Sequence, residues 1–300
     1  KYNSEGYRDA KIVSDSIYVN DEKTIKINIK IEEGNKFYFR NVSWIGNSKY
    51  SNEQLDAILD IKKGDLFDQS VLDEKLYMDE RGITSIYMDD GYLFFNANPV
   101  EVKVENDSID IEIRIYEGKQ ARINKITVTG NTKTNDHVIR REIRTKPGEL
   151  FSRSDIIRTQ RELAQLGYFD PEKLGVNPTP NQVDGTVDIE YVVEEKPSDQ
   201  IELSGGWGAG MIVGTLGLSF NNFSAKNVFK KGAWRPLPAG DGQRLSVRAQ
   251  SNGIYYQAYN LSFVEPWLGG KKPNSFTVSS YYTIQSNGRD KDDPDRTSMT

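Results

Sequence analysis

Three stretches of the chain alternate strictly between apolar and polar residues and end on an acidic stop. Ile25, Ile27, Ile29 and Ile31 run into Glu32-Glu33-Gly34. Ile109, Ile111, Ile113 and Ile115 run into Tyr116-Glu117-Gly118, and Val187, Ile189, Tyr191 and Val193 into Glu194-Glu195-Lys196. A period of two is the mark of a strand with one buried face. Upstream of each lies a Gly-Tyr pair: Gly6-Tyr7, Gly91-Tyr92 and Gly167-Tyr168. The distance from that glycine to Glu33, Glu117 and Glu195 is 27, 26 and 28 residues.

The repetition extends further. Phe39 to Asn47 aligns with Ile123 to Asn131, both closing on Gly-Asn, and Lys63-Gly64-Asp65-Leu66-Phe67 aligns with Pro147-Gly148-Glu149-Leu150-Phe151. Between these landmarks the period becomes helical. Ser51 and Gln54 form a capping-box pattern before Leu55, Ile58 and Leu59. Ser154 is the expected cap of a helix through Ile156, Leu163 and Leu166, which Gly167 stops. In the preceding repeat Leu72, Leu76, Ile83 and Tyr87 predict a longer second helix, with 25 residues from Phe67 to Tyr92 against 17 from Phe151 to Tyr168. Each unit reads strand–helix–helix–strand–strand, a two-layer α+β domain in which the helices cover the sheet. Residues 1–35 hold the last strands of one unit, and 36–119 and 120–197 hold complete ones. The start at Lys1-Tyr2-Asn3 falls in mid-domain and reads as a missing N-terminal portion.

After Pro197 the helical period disappears. Ile201, Leu203 and Gly205 alternate with polar residues, then Ile212, Leu216, Leu218 and Phe220. Leu245, Val247 and Ala249 follow, then Tyr259, Leu261 and Phe263, then Phe276, Val278, Tyr282 and Ile284. Residues 198–300 therefore predict about five strands with an aromatic-rich outward parity, the dyad pattern of a lipid-facing barrel. Closed membrane barrels need about eight strands or more. Five are thus an incomplete barrel, and its exposed edges are an aggregation hazard in water. A soluble β-sandwich has similar alternation but lacks this aromatic parity.

Charge separates the same two parts. Residues 1–197 hold 28 Lys and Arg against 36 Asp and Glu, while residues 198–300 hold 11 against 8. The acidic first part argues against nucleic acid as a partner. With no cysteine, disulfides, thiolate metal sites and thiol nucleophiles are excluded. No catalytic constellation stands out, and neither a cofactor nor a metal is implied. His137 is the only histidine and reads as a surface or capping residue. Asp290-Lys291-Asp292-Asp293-Pro294-Asp295 lacks the spacing of a calcium loop and reads as an exposed loop. Gly205-Gly206-Trp207-Gly208 precedes no helix, so it is not a phosphate loop.

The order of landmarks resembles POTRA domains. Leu150-Phe151-Ser152-Arg153-Ser154, Gln160-Arg161 and Leu166-Gly167-Tyr168-Phe169 resemble the barrel-proximal POTRA of the BamA family of outer-membrane protein assembly factors. Phe220-Asn221-Asn222-Phe223 with Gly232, and Phe263-Val264-Glu265-Pro266-Trp267-Leu268-Gly269, resemble that family's second and fourth barrel strands. The insert Trp234 to Gly242 departs from the pattern by lengthening the second hairpin, and nothing here corresponds to the family's late Arg-Gly loop motif. The resemblance implies α+β POTRA repeats followed by antiparallel transmembrane β-barrel strands, lying in the periplasm and outer membrane of a Gram-negative bacterium. It implies a non-enzymatic subunit of a Bam complex that receives unfolded β-barrel proteins, docks accessory outer-membrane lipoproteins and inserts clients into outer-membrane lipid.

Three sets of residues are the candidates for that work. The glycine-rich first strand, Gln200 to Ala209 with Ile201, Leu203, Gly205, Gly206, Trp207 and Gly208, is the lateral seam that the resemblance implies. The stretch Phe95, Ala97, Val100, Val102 and Val104, with Pro99, reads as an edge strand open to β-augmentation by a client, as does Lys11 to Val19. A merely protected edge is the equal alternative. Leu216, Leu218, Phe220, Tyr259, Phe263 and Trp267 are expected to face lipid or form a girdle. Two rival functions stay open: a related POTRA-barrel translocator that secretes a client, and a soluble periplasmic scaffold.

Overall fold

The computed structural model describes residues 2–21, 24–208, 211–234, 237–253, 255–289 and 292–300. It divides into two compact units. One comprises Lys1–Lys125, Thr145–Ile157 and Pro178–Asp188; the other comprises Ile126–Arg144, Arg158–Asn177 and Ile189–Thr300.

The chain begins with an antiparallel hairpin, β1 (Lys11–Asp21) and β2 (Thr24–Glu32). The first complete repeat follows: β3 (Tyr38–Ile45), α1 (Asn52–Leu59), α2 (Gln69–Asp73), α3 (Ile83–Asp89), β4 (Asn96–Glu105) and β5 (Ser108–Tyr116). Its sheet has the order β3-β5-β4, with β3 parallel and β4 antiparallel to β5. The alternating isoleucines of β5 point into the core: Ile109, Ile111 and Ile113 are fully buried with Leu55, Leu59, Leu72, Leu76, Ile83 and Tyr87. Each such side chain contributes about 1.5–3 kcal/mol on burial, so the helical layer is what holds the sheet. The equivalent Ile25, Ile27 and Ile29 of β2 are each more than half exposed.

The second helix of this repeat is not the single longer helix that the periodicity predicts. α2 widens into a π-turn at Glu74–Met78, closed by the Asp79 amide on Glu74 O at 2.9 Å, and the chain extends at Asp79 before α3 begins. Gly82 marks the break, since a Cβ there would lie 2.5 Å from the Lys75 carbonyl oxygen. The four apolar residues still share one buried face, so the period survives although the helix does not.

The second repeat has β6 (Arg122–Thr129), α4 (Asp136–Arg140), α5 (Arg153–Gln165), β7 (Gly175–Asn181) and β8 (Thr186–Val192), with sheet order β6-β8-β7. The expected strand–helix–helix–strand–strand order forms here, and in the first repeat it forms with the second helix broken into α2 and α3. The cap of α5 is Ser152 rather than Ser154: the Ser152 hydroxyl accepts from the Asp155 amide at 3.2 Å, whereas the Ser154 amide is turned to Asp89 at 2.7 Å.

The landmark motifs have the same work in both repeats, at an offset of 84 residues. Asn47 donates to Tyr50 O at 2.9 Å and Asn52 Oδ1 at 2.8 Å; Asn131 donates to Thr134 O at 3.0 Å and Asp136 Oδ1 at 2.8 Å. The Leu-Phe landmark lays a short stretch against the first strand, with Phe67 N to Phe37 O at 2.8 Å and Phe151 N to Ala121 O at 3.0 Å. The first two Gly-Tyr landmarks lead into the following repeat: the Phe37 amide donates to Gly6 O at 3.0 Å, and that of Ala121 to Gly91 O at 2.8 Å.

The remaining strands form one antiparallel meander: β9 (Gln200–Gly208), β10 (Met211–Phe223), β11 (Gln243–Ser251), β12 (Tyr256–Glu265), β13 (Phe276–Ser286) and the two-residue β14 (Ser298–Met299). Five of these are the expected strands, and β14 extends the sheet by one.

Candidate functional site

The meander has two chemically distinct faces, and its register shows why. Directly paired residues share a face. Ile201, Leu218, Val247 and Leu261 form one continuous row across β9–β12, and Leu203, Leu216, Ala249, Tyr259 and Tyr282 form the next. Phe220, Leu245, Phe263 and Val278 complete the apolar face toward one end. The opposite face carries Gln200, Ser219, Ser246, Ser262 and Ser279 in one row, with hydroxyl pairs Ser219–Ser246 at 3.1 Å and Ser262–Ser279 at 3.0 Å. On that polar face Glu202 reaches Arg248 at 2.8 Å across the intervening strand. Gly217 permits the crossing, since a Cβ there would lie 3.1 Å from Glu202 Oε2.

β9 lies at one end of the sheet order and pairs only with β10 among the described residues. Ile201, Leu203 and Trp207 are 77, 81 and 75% exposed, the profile of a strand with neither a second neighbour nor a covering layer. Gly205 and Gly206 meet no side chain, and within the strand they reduce packing and free the backbone. The expected seam residues Gln200, Ile201, Leu203, Gly205, Gly206, Trp207 and Gly208 all fall within β9; Ala209 lies outside the described residues.

In the first repeat β4 is also an edge strand. Phe95 and Ala97 are buried in the core, whereas Val102 and Val104 are 49 and 42% exposed. Several devices blunt this edge. Pro99 removes one donor, and the register shifts between Glu101 and Lys103, so Val102 sits in a bulge. The Tyr77 hydroxyl donates to Ala97 O at 2.7 Å, and Arg8 pairs with the Glu101 carboxylate. β1 is the free partner of β2, with Ile17 and Val19 63 and 80% exposed.

The third Gly-Tyr pair leads into the meander. Tyr168 donates its hydroxyl to Gly242 O at 3.0 Å, and burial pushes that phenol up from its ordinary value. Asn222, in the left-handed region at φ 60°, donates to Thr134 Oγ1 at 2.8 Å and accepts from the Gly242 amide at 2.9 Å. Asp241 accepts from Ser224 at 2.6 Å and Asn135 at 2.9 Å, and His137 Nε2 lies 3.5 Å away. The expected insert, Trp234 to Gly242, thus ends in the turn that docks onto the last repeat; its Arg235 and Pro236 lie outside the described residues.

Trp267 is held in the same junction. Its indole donates to Glu142 Oε1 at 2.9 Å, and its ring lies 5.5 Å from the Arg141 guanidinium carbon. Burial raises the Glu142 carboxyl above its ordinary value, although Arg141 and the indole oppose the shift. Of the other expected lipid-facing residues, Leu216 and Tyr259 are each 47% exposed, while Leu218, Phe220 and Phe263 are half-buried. The junction was not read from sequence because its partners are 74 to 125 residues apart; the Asn221-Asn222 pair and Gly240-Asp241-Gly242 were the available signals.

Among the described residues no group of three or more His, Cys, Asp or Glu side chains is placed to hold a metal, and no helix is long and apolar enough to cross a membrane. The latter says nothing of strands. The acidic stretch Asp290 to Asp295 begins outside the described residues.

Comparison with known proteins identifies the repeats. The family description POTRA, surface antigen variable number repeat, matches residues 37–118 and 121–196. The outer membrane protein assembly factor BamA of Neisseria meningitidis serogroup B is 27% identical over 272 residues, covering 89% of this chain and 31% of the relative. This chain therefore spans about a third of that relative's length. Among solved structures, BamA from Haemophilus ducreyi lacking POTRA domains 1–3 aligns over 84% of this chain and 44% of that one, with TM-score 0.66 and 23% identity. POTRA3-5 of BamA from Haemophilus influenzae aligns over 65% of this chain and 76% of that one, with TM-score 0.56 and 25% identity.

Proposed function

The chain belongs to the POTRA family, and on that premise we propose that it is part of an outer-membrane protein assembly factor, acting in the outer membrane with its repeats in the periplasm. Its clients are unfolded β-barrel proteins, and its partners include accessory outer-membrane lipoproteins.

The observation that carries this reading is the edge strand β9 on a sheet with one predominantly apolar face. A strand entering hydrocarbon must satisfy every N–H and C=O within protein, because lipid offers no hydrogen bonds. β9 supplies a row of such groups beside an apolar surface, so a client strand added there is paired before it meets lipid. The same logic places Leu216, Leu218, Phe220, Tyr259 and Phe263 toward lipid. β4 is a weaker second edge: Phe95 and Ala97 are buried, and the more exposed part, Val100 to Val104, is interrupted by the bulge at Val102 and by Arg8 on Glu101.

The test uses the full-length protein in liposomes, supplied with an unfolded outer-membrane β-barrel client. The client should become protease-resistant and heat-modifiable on gels faster than with empty liposomes. Equal rates in the two would sink the assembly role.

A further inference from the structure

We propose that the two turns at the repeat-bearing end of the meander form a rim that binds the anionic headgroups of phospholipids in the adjoining leaflet. This rests on the reading of β9–β14 as membrane-barrel strands.

Strand direction places the β10–β11 and β12–β13 turns at one end of the sheet, where Asn222 and Gly242 meet the last repeat. The β10–β11 turn holds Phe229 at 96% exposure and Trp234 at 50%. It is not a loose loop: the Trp234 indole donates to Val228 O at 2.8 Å, which closes the segment on itself. In the β12–β13 turn Leu268 is 54% exposed, and Phe276 opens the next strand at 45%.

Exposed charge in these turns has one sign. Lys226, Lys230 and Lys231 in the first turn and Lys271 and Lys272 in the second are all exposed. No Asp or Glu occurs between Glu202 and Asp241, or between Glu265 and Asp290, and Asp241, the one carboxylate in the two turns, is buried against Ser224 and Asn135, so neither turn carries an exposed counter-ion. The loop at the other end, between β13 and β14, is different: Asp293 and Asp295 take up Arg289 there.

The position of the turns identifies the occupant. The apolar row Phe220, Leu245, Phe263 and Val278 belongs to the strand ends that lead into them. Apolar rings beside lysines, where an apolar band stops, match the step from acyl chains to phosphates in a bilayer. Lysine stems lie along the apolar layer while their ammonium groups reach the headgroups. An acidic protein would match the lysines but would leave Phe229 in water. Each lysine near an anionic surface is worth roughly a fivefold gain in partitioning, so the set is strongly sensitive to lipid charge.

The experiment places full-length protein carrying Phe229→Trp in bilayers of phosphatidylcholine, with and without phosphatidylglycerol, containing lipids brominated near the glycerol end of the chains. Its fluorescence is compared with that of the parent. The emission added by the introduced indole should be quenched, more strongly with phosphatidylglycerol, and Lys226, Lys230 and Lys231→Gln should remove that extra quenching. Emission that stays unquenched in a sample whose heat-modifiable band proves a folded barrel overturns the rim. Protection that needs an added accessory lipoprotein overturns it too, in favour of a protein contact. A sample with no heat-modifiable band refutes the barrel reading instead.

Discussion

Glycines and carboxylates at fixed offsets carry the repeat, and each has a separable cost. Gly130 lies at φ 92°, and a Cβ there would come within 1.8 Å of Val193 O, whereas Gly148 at φ 88° has nothing within 4 Å. Gly148→Ala should therefore cost only the left-handed penalty of about 1–2 kcal/mol, and Gly130→Ala clearly more, because backbone must move. Thermal unfolding of the two variants checks the order; equal losses would contradict it. The acidic stop has its own role. Glu195 accepts from Thr132 Oγ1 at 2.6 Å, Lys133 N at 2.9 Å and Thr134 N at 2.6 Å. Burial presses this carboxyl upward, but those bonds outweigh it and hold the group below its ordinary value. A depressed carboxyl stabilises fully above its unfolded value near 4.5 and loses that contribution as pH falls through the lower folded value. Glu195→Gln should cost about 1–2 kcal/mol at neutral pH, since one amide oxygen cannot serve three donors. The gap in melting temperature to the parent should close in acid, and a gap unchanged by pH would speak against the charge.

At the scale of elements, local pattern was legible and interruption was not. The capping box at Ser51 and Gln54, the stop at Gly167 and the buried row of β5 all follow from residues within a few positions of one another. The break between α2 and α3 does not, because Leu72, Leu76, Ile83 and Tyr87 keep their spacing through it and only Gly82 betrays it. The docking turn was equally hidden, for its partners come from α4, the exit of α5 and two strand ends. Asn222 is its centre, joining Thr134 to Gly242 while holding a left-handed backbone. Asn222→Ala removes both bonds and should cost about 2–3 kcal/mol. Hydrogen exchange should rise together in residues 132–137 and 238–243; a rise confined to the second segment would show that the two do not act as one contact.

For the molecule as a whole, sequence alternation separated α+β repeats from a strand-only part, and the change of charge near residue 197 agreed. Pairing of distant strands supplied what alternation could not: cross-strand rows that make one face apolar, and the place of β9 at the end of the order. The edge strand β4 was legible as an edge, but the bulge at Val102 and the Tyr77 hydroxyl that protect it depend on contacts outside its own sequence. Those protections are why β9, which has none of them among the described residues, is assigned the main pairing role. The most direct measurement is site-specific photo-crosslinking in the full-length protein during client assembly. A probe at Leu203 on β9 should capture a stalled client, while one at Leu261 on β12, paired on both sides by β11 and β13, should not. Capture at Leu261 with none at Leu203 would contradict assembly at this edge.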